Sequence, residues 1–184
     1  KGAQAAVVTL WGEERLLADR VCAIVNHLIA DQSTNNREYT ATPVAVIERN
    51  QVVIRSTLLA RALAPHRFAA DSKLRVPEVV WRGSEACVRG YLRGLFQTDG
   101  TVNVSHSSQS CSIRLASSQS TLLKDVQVLL ANFGVFSRIR ARRAAGQRLL
   151  PDGHGRNRLY DCQADFELIV DGQARERFMR EIGF

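Results

Sequence analysis

The stretch GYLRGLFQTDGTV, Gly90 to Val102, constrains what this chain can fold into more than any other. Leu92, Leu95 and Phe96 recur at helical spacing and give one apolar face. Gly90 and Gly94, four residues apart, share another face that carries no side chains. Each glycine costs a helix about 0.5–1 kcal/mol relative to alanine, so two on one face imply a compensating contact. Close approach of a second helix backbone is such a contact. The helix is then expected to stop at Asp99-Gly100, with Gly100 in the left-handed conformation of a C-cap. Thr101 opens a strand.

The lone acid raises a separate question. A carboxylate at a helix C-terminus meets the negative end of the macrodipole. A cation there would reverse the sign, because carboxylate and uncapped carbonyl oxygens both suit Mg²⁺. A solvated Asp-Gly turn leading into a strand needs no metal. The residues alone leave both readings open.

The rest of the second half reads α-β-β-α-β-β-α. SEACVRGYLRGLFQT is a helix capped by Ser84, TVNVSH and SCSIRLASS are strands, and STLLKDVQVLLANFG is a helix closed by Gly134. VFSRIRARR is a strand, AAGQRLLPDGHGRN a long turn, LYDCQADFELIV a strand and QARERFMREIGF a closing helix. The first half repeats part of this order. A strand, AAVVTL, precedes a helix whose apolar face is expected to be Leu17, Val21, Ile24 and Leu28. A hairpin turned at Arg49-Asn50 and a short helix follow. Leu16, Leu17, Asp19 and Asn26 align with Leu122, Leu123, Asp125 and Asn132 at one constant offset, the mark of an internal duplication. At that offset the counterpart of Asp99 falls upstream of Lys1. The expected division is residues 1–83, a first half without its motif helix plus a connector, and residues 84–184, the half that carries the motif.

Charge narrows the partner. The 25 basic and 18 acidic residues leave a net charge of +7, which favours a polyanion. Strand alternation turns Thr101, Asn103 and Ser105 outward, then Ser112 and Arg114, then Arg138, Arg140 and Arg142, with Val102 and Val104 facing the helices. Gln51 and Arg55 bracket Val53 in the first-half hairpin in the same way. These are donors and acceptors of the kind that read major-groove base edges. Arg148 and Arg156, in the long turn, suit phosphates better. No apolar run approaches the roughly 20 residues of a membrane span. Cys22, Cys87, Cys111 and Cys162 lack metal-site spacing and are expected to be buried, reduced thiols of a cytoplasmic protein.

YLRGLFQTDG resembles the LAGLIDADG dodecapeptide of homing endonucleases, in the form found within inteins, and keeps Leu92, Gly94, Leu95, Asp99 and Gly100. KLRVPEVVW, Lys73 to Trp81, is similar to the basic block ahead of the second motif, and FMREIGF resembles the end of such regions. The resemblance implies an α+β homing-endonuclease-like fold of tandem αββαββα repeats, with antiparallel saddle-shaped sheets and helices packed on one face. Two motif helices would pack through Gly90, Gly94 and their counterparts, each bringing its last acid to a metal site between the scissile phosphates. Asp99 would then be a catalytic metal ligand, the Thr98 carbonyl a second ligand, and Mg²⁺ or Mn²⁺ the cofactor. Lys73, or Arg75 if the match is shifted, would steady the transition-state charge, and the other basic position falls on Gln173. The implied partner is double-stranded DNA with a long target site, cut to short 3′ overhangs in a bacterial or archaeal cytoplasm. The enzyme would be a monomeric pseudo-dimer when complete and a dimer without its first motif. A DNA-binding module without catalysis, and an RNA-binding intron maturase, are the alternatives.

Overall fold

The computed structural model describes residues 4–32, 39–66, 75–105, 107, 110–153 and 155–184. The chain divides into two compact units, Lys1–Ala69 and Ala70–Phe184.

In the first unit, alternating apolar residues make Ala6–Trp11 a strand, β1. A 3₁₀ turn over Gly12–Leu17 leads into α1, Ala18–Ile29, and then come β2, Pro43–Val46, β3, Gln51–Ser56, and α2, Thr57–Leu63. β3 lies between β1 and β2 and is antiparallel to both. The turn at Arg49-Asn50 is present, with Asn50 left-handed at φ 49°. The Ser56 hydroxyl accepts the Leu59 N–H at 3.1 Å and caps α2.

The buried face of α1 differs from the expected one. Ala18, Cys22, Val25 and Ile29 turn inward, whereas Leu17, Ile24 and Leu28 are exposed and only Val21 packs against the core. Two apolar stripes lie about 100° apart on this helix, so periodicity cannot choose between them. Ala41 chooses. Its N–H donates to Asn26 Oδ1 at 2.7 Å, and its carbonyl accepts Asn26 Nδ2 at 3.1 Å and the Cys22 thiol at 2.9 Å. These bonds turn the Cys22–Asn26 side inward.

The second unit runs α3, Glu78–Trp81; α4, Glu85–Asp99; β4, Gly100–Ser105; β5, Ser110–Ser117; α5, Ser120–Asn132; β6, Arg138–Arg143; β7, Gly146–Pro151; β8, Asn157–Cys162; β9, Asp165–Asp171; and α6, Gly172–Glu181. A four-stranded antiparallel sheet has the order β4-β5-β9-β6, so β1-β3-β2 of the first unit repeats its β5-β9-β6 part. The residue offset read from the sequence does not carry over: Leu123 is fully buried, while Leu17, its aligned counterpart, is exposed.

One core joins the helices to one face of this sheet: Leu92 and Phe96 from α4, Leu123, Val126, Leu129 and Leu130 from α5, Phe178 from α6, and Ile113, Leu115, Leu168 and Val170 from the strands. Val76 and Val80 belong to it too, so residues 75–83, grouped from sequence with the first half, pack in the second unit. Gly134 closes α5 with φ +68°, and the Val135 N–H reaches back to the Leu130 carbonyl.

Three local expectations need correction. The long turn after Arg143 is a β-hairpin, with β7 paired to β8 from Gly146↔Cys162 to Pro151↔Asn157. Val102 and Val104 do share the helix-side face, in register with Ile113 and Cys111, yet they are 51% and 56% exposed, because β4 is the sheet's edge strand. Cys87 is exposed, and all four cysteines are free thiols. Among the described residues no helix is long and apolar enough to cross a membrane.

Candidate metal-ligating helix end and nucleic-acid interface

Among the described residues, the motif helix α4 is held from one side. The Ser84 hydroxyl caps it by accepting the Cys87 N–H at 3.3 Å. Phe96 meets Phe178 edge-on at 4.8 Å between ring centroids. Arg93 Nε donates to the Ile182 carbonyl at 2.8 Å, and Arg89 donates to the Glu181 carbonyl. On the opposite side Gly90 and Gly94 are exposed, and a Cβ built on either meets no atom within 4 Å. The glycine face is open among the described residues, as a surface suited to a close helix backbone would be.

Asp99 ends the helix with its carboxylate exposed. Gly100 is not left-handed: its φ of −79° and ψ of 160° are extended, and it is already the first residue of β4. Glycine is required there by space. A Cβ at Gly100 would sit 2.2 Å from the Phe96 carbonyl oxygen, the atom that accepts the Gly100 N–H. The chain thus leaves the helix by passing tightly over its last turn. The Thr98 hydroxyl turns back to the Gly94 and Leu95 carbonyls at 3.0 and 3.3 Å. Since the chain becomes a strand at Gly100, no later helical N–H meets the Thr98 carbonyl. The exposed Asp99 therefore stands at the helix end beside a last turn whose carbonyls lack intrahelical partners.

The basic residues fall out unequally. Lys73 lies outside the described residues. Arg75, its substitute, is engaged: Nε donates to Asp125 Oδ2 at 2.7 Å and Nη2 to Oδ1 at 3.1 Å, and the Val76 N–H donates to the same Oδ2 at 3.2 Å. The hydrogen bond and then the charge of Asp125 raise the Arg75 pKa above its ordinary value. Burial, and secondarily the charge of Asp125, raises that of the Tyr91 phenol on α4. Gln173 is exposed in the first turn of α6.

The outer face of the four-stranded sheet collects most of the expected polar residues. Thr101↔Arg114 and Asn103↔Ser112 are register partners between β4 and β5, and Ser105 bonds Ser107 through their hydroxyls at 3.3 Å. Thr101 and Asn103 are exposed, but Ser112 is buried, because the Arg114 side chain bonds its hydroxyl at 2.9 Å. Arg138 and Arg140 share the outer face of β6, as expected, but the register shifts between Ala141 and Arg143 and leaves Arg142 in a bulge. Each meets an acid of β9: Arg138 pairs with Asp171 at 2.7 Å, Arg140 with Glu167 at 2.8 Å and Arg142 with Asp165 at 3.4 Å. Sequence reasoning missed these acids. The available signal was the alternation in DFELIVD, which puts Asp165, Glu167, Ile169 and Asp171 on one strand face.

Elsewhere, Arg55 is exposed and Gln51 is 8% exposed, against the expectation that both point to solvent. Gln51 lies on the central strand of its sheet with Trp11 and Val46 on either side in register, and these neighbours cover it. Arg148 stands half-buried on β7, and Arg156 is exposed in the hairpin turn.

A model of the LAGLIDADG-like domain matches residues 86–183, more than half of the 184-residue chain. The chain belongs to the LAGLIDADG-like domain family. It is also 31% identical over 182 residues to the ribonucleoside-diphosphate reductase NrdEB subunit alpha of Bacillus subtilis (strain 168), a match that covers 95% of this chain and 17% of that protein. DNA-directed RNA polymerase subunit Rpo1C of Methanocaldococcus jannaschii is 32% identical over 90 residues, 49% of this chain and 10% of that protein. The chain thus spans less than a fifth of the length of these relatives. Among solved structures, mesophilic variants of the homing endonuclease I-DmoI superpose with a TM-score of 0.55 at 17% identity, covering 97% of this chain and 79% of theirs. I-DmoI in complex with DNA and Mn gives 0.54 at 16% identity, covering 97% and 80%. At these identities the likeness is one of fold, and it extends through both units of this LAGLIDADG-like chain. The family match itself covers α4 from Ala86 and everything after it except Phe184, the part where sequence reasoning also found the motif.

Proposed function

We propose that this chain is the DNA-recognition and cleavage region of an intein-encoded homing endonuclease. It cuts both strands of a long, specific duplex site by divalent-metal-dependent phosphodiester hydrolysis and leaves short 3′ overhangs. The observation that carries this reading is Asp99, an exposed carboxylate at the end of a helix with an open glycine face, in a chain of the LAGLIDADG-like family. The two curated relatives support an inserted element. One reduces ribonucleotides and the other polymerises RNA, yet each contains a stretch similar to this chain that is a small part of its length.

The oxygens at the helix end fit a hard cation such as Mg²⁺ or Mn²⁺, which takes one or two carboxylates and keeps several waters. When bound, such an ion lowers the pKa of a water and neutralises charge developing on the phosphate. The chain's own residues do the positioning. Phe96, Arg89 and Arg93 fix α4 against the core, which holds Asp99 and the Thr98 carbonyl at the helix end. Gly90 and Gly94 admit a second motif helix whose acid completes the site. Lys73 steadies the transition-state charge. The outer sheet face and the β7–β8 hairpin, with Arg148 and Arg156, bind the duplex. The enzyme works in a bacterial or archaeal cytoplasm, as a pseudo-dimer with a first motif helix or as a dimer without one.

The test is incubation with duplex DNA carrying an uninterrupted ribonucleoside-diphosphate reductase coding sequence, with Mg²⁺ or Mn²⁺. Cleavage that Asp99→Asn abolishes while duplex binding persists is the expected result. Cleavage by Asp99→Asn at the wild-type rate would overturn it. A second reading, a sequence-specific DNA-binding module that does not cut, draws on one observation: Gln173, at the position where a second basic residue is expected, is an exposed uncharged amide. Specific duplex binding with no cleavage in either metal would favour it.

A further inference from the structure

Glu167 is an acid in an unexpected place. It stands in the middle of the outer sheet face, in a basic chain read here as binding DNA through that face, and it is only 6% exposed. Three guanidinium N–H groups from two different strands converge on its Oε2: Arg114 Nη1 at 3.3 Å, Arg140 Nε at 3.1 Å and Arg140 Nη2 at 2.8 Å. The neighbouring position on the same face is apolar. Ile169 is flanked in register by Arg114 on one side and Arg138 on the other, and it is 2% exposed. Such a residue offers apolar surface to the aliphatic stems of those arginines.

This arrangement has two physical consequences. Arg140 meets Glu167 along its Nε–Nη2 side, which leaves the Nη1–Nη2 end of the planar fork facing away from the carboxylate. That end is a donor pair with the spacing of guanine O6 and N7. Holding it in one orientation before binding removes rotamer entropy that a loose arginine would lose on contact. The second consequence is electrostatic. Arg114, Arg138, Arg140 and Arg142 face Asp165, Glu167 and Asp171, so the patch is close to neutral. A nearly neutral patch gains little from phosphates of any sequence.

We propose that Glu167 is a specificity-determining positioning residue: it fixes Arg140, with Arg114 alongside, to read a guanine edge and suppresses sequence-independent binding. This rests on the reading of the sheet face as the DNA-contacting surface.

The experiment selects duplexes from a randomised library with the wild-type chain. Binding of the selected duplex, each of its single-base-pair substitutions and a random-sequence duplex is then measured over a salt series. Glu167→Gln, nearly isosteric, is expected to lower discrimination at one G·C pair by about tenfold. It should also tighten binding to the random duplex and steepen its salt dependence. Arg140→Lys keeps the charge without the fork and should lose discrimination at the same base pair, so it decides the matter if Glu167→Gln does not fold. Unchanged discrimination at every position, or an equal loss on all duplexes, would overturn the proposal. A wild-type chain that binds no duplex defeats the DNA reading itself, an outcome distinct from wild-type selectivity that the variants leave intact.

Discussion

Arg75 and Asp125, fifty residues apart in sequence, form a two-pronged ion pair, and Asp125 also accepts the Val76 N–H. The pair fastens the start of the second unit to α5. It also takes Arg75 out of the pool of basic residues available to a phosphate, which leaves Lys73 as the candidate in that block. Asp125→Ala removes the acceptor of all three donors and strands a buried N–H, whereas Arg75→Ala leaves the Val76 bond in place. Thermal unfolding should therefore show a larger loss for Asp125→Ala than for Arg75→Ala.

Open space at Gly94 makes a two-way prediction. Gly94→Ala meets nothing within 4 Å, so in the isolated chain it should raise stability by about 0.5–1 kcal/mol through helix propensity. The same methyl stands where a second motif helix is proposed to approach, so cleavage should fall. Melting curves and a cleavage assay on one preparation separate the two effects. A gain in stability with unchanged cleavage would remove the packing role of that face.

Gly100 responds in the opposite sense. Its backbone is one any residue adopts, but a Cβ would lie 2.2 Å from the Phe96 carbonyl oxygen. Gly100→Ala should cost about 1–3 kcal/mol, as overpacking does, and should impair cleavage by displacing the adjacent Asp99. Chemical denaturation measures the first effect directly.

Tyr91 gives the chain a sensitivity to alkali. Burial and Asp125 favour its neutral form, raising its pKa above the ordinary 10.0. Between the unfolded and the folded pKa the native state binds more protons than the unfolded state, so stability falls as pH rises through that window. Tyr91→Phe should flatten the decline above about pH 10 and leave stability near neutrality little changed. Urea midpoints across that range provide the check.

The sequence by itself determined the order of strands and helices outside the β7–β8 hairpin, the Ser84 cap, the Gly134 stop, the turn at Asn50 and the motif helix with its glycine face and terminal acid. Each depends on residues within about one helical turn or one hairpin, where spacing and side-chain type act directly. Only the tertiary structure decided the rest. Periodicity pointed to the Leu17, Val21, Ile24 and Leu28 stripe on α1, and hydrogen bonds to Ala41, beyond the helix, selected the neighbouring one that includes Cys22. It counted three arginines on β6 but not the acids they face, because strand order brings β9 alongside β6 across the whole β7–β8 hairpin. It required glycine at position 100, yet the reason is the Phe96 carbonyl beneath it rather than a left-handed turn. Local chemistry fixes what each segment can be, while partners distant in sequence depend on register and packing that no local spacing encodes.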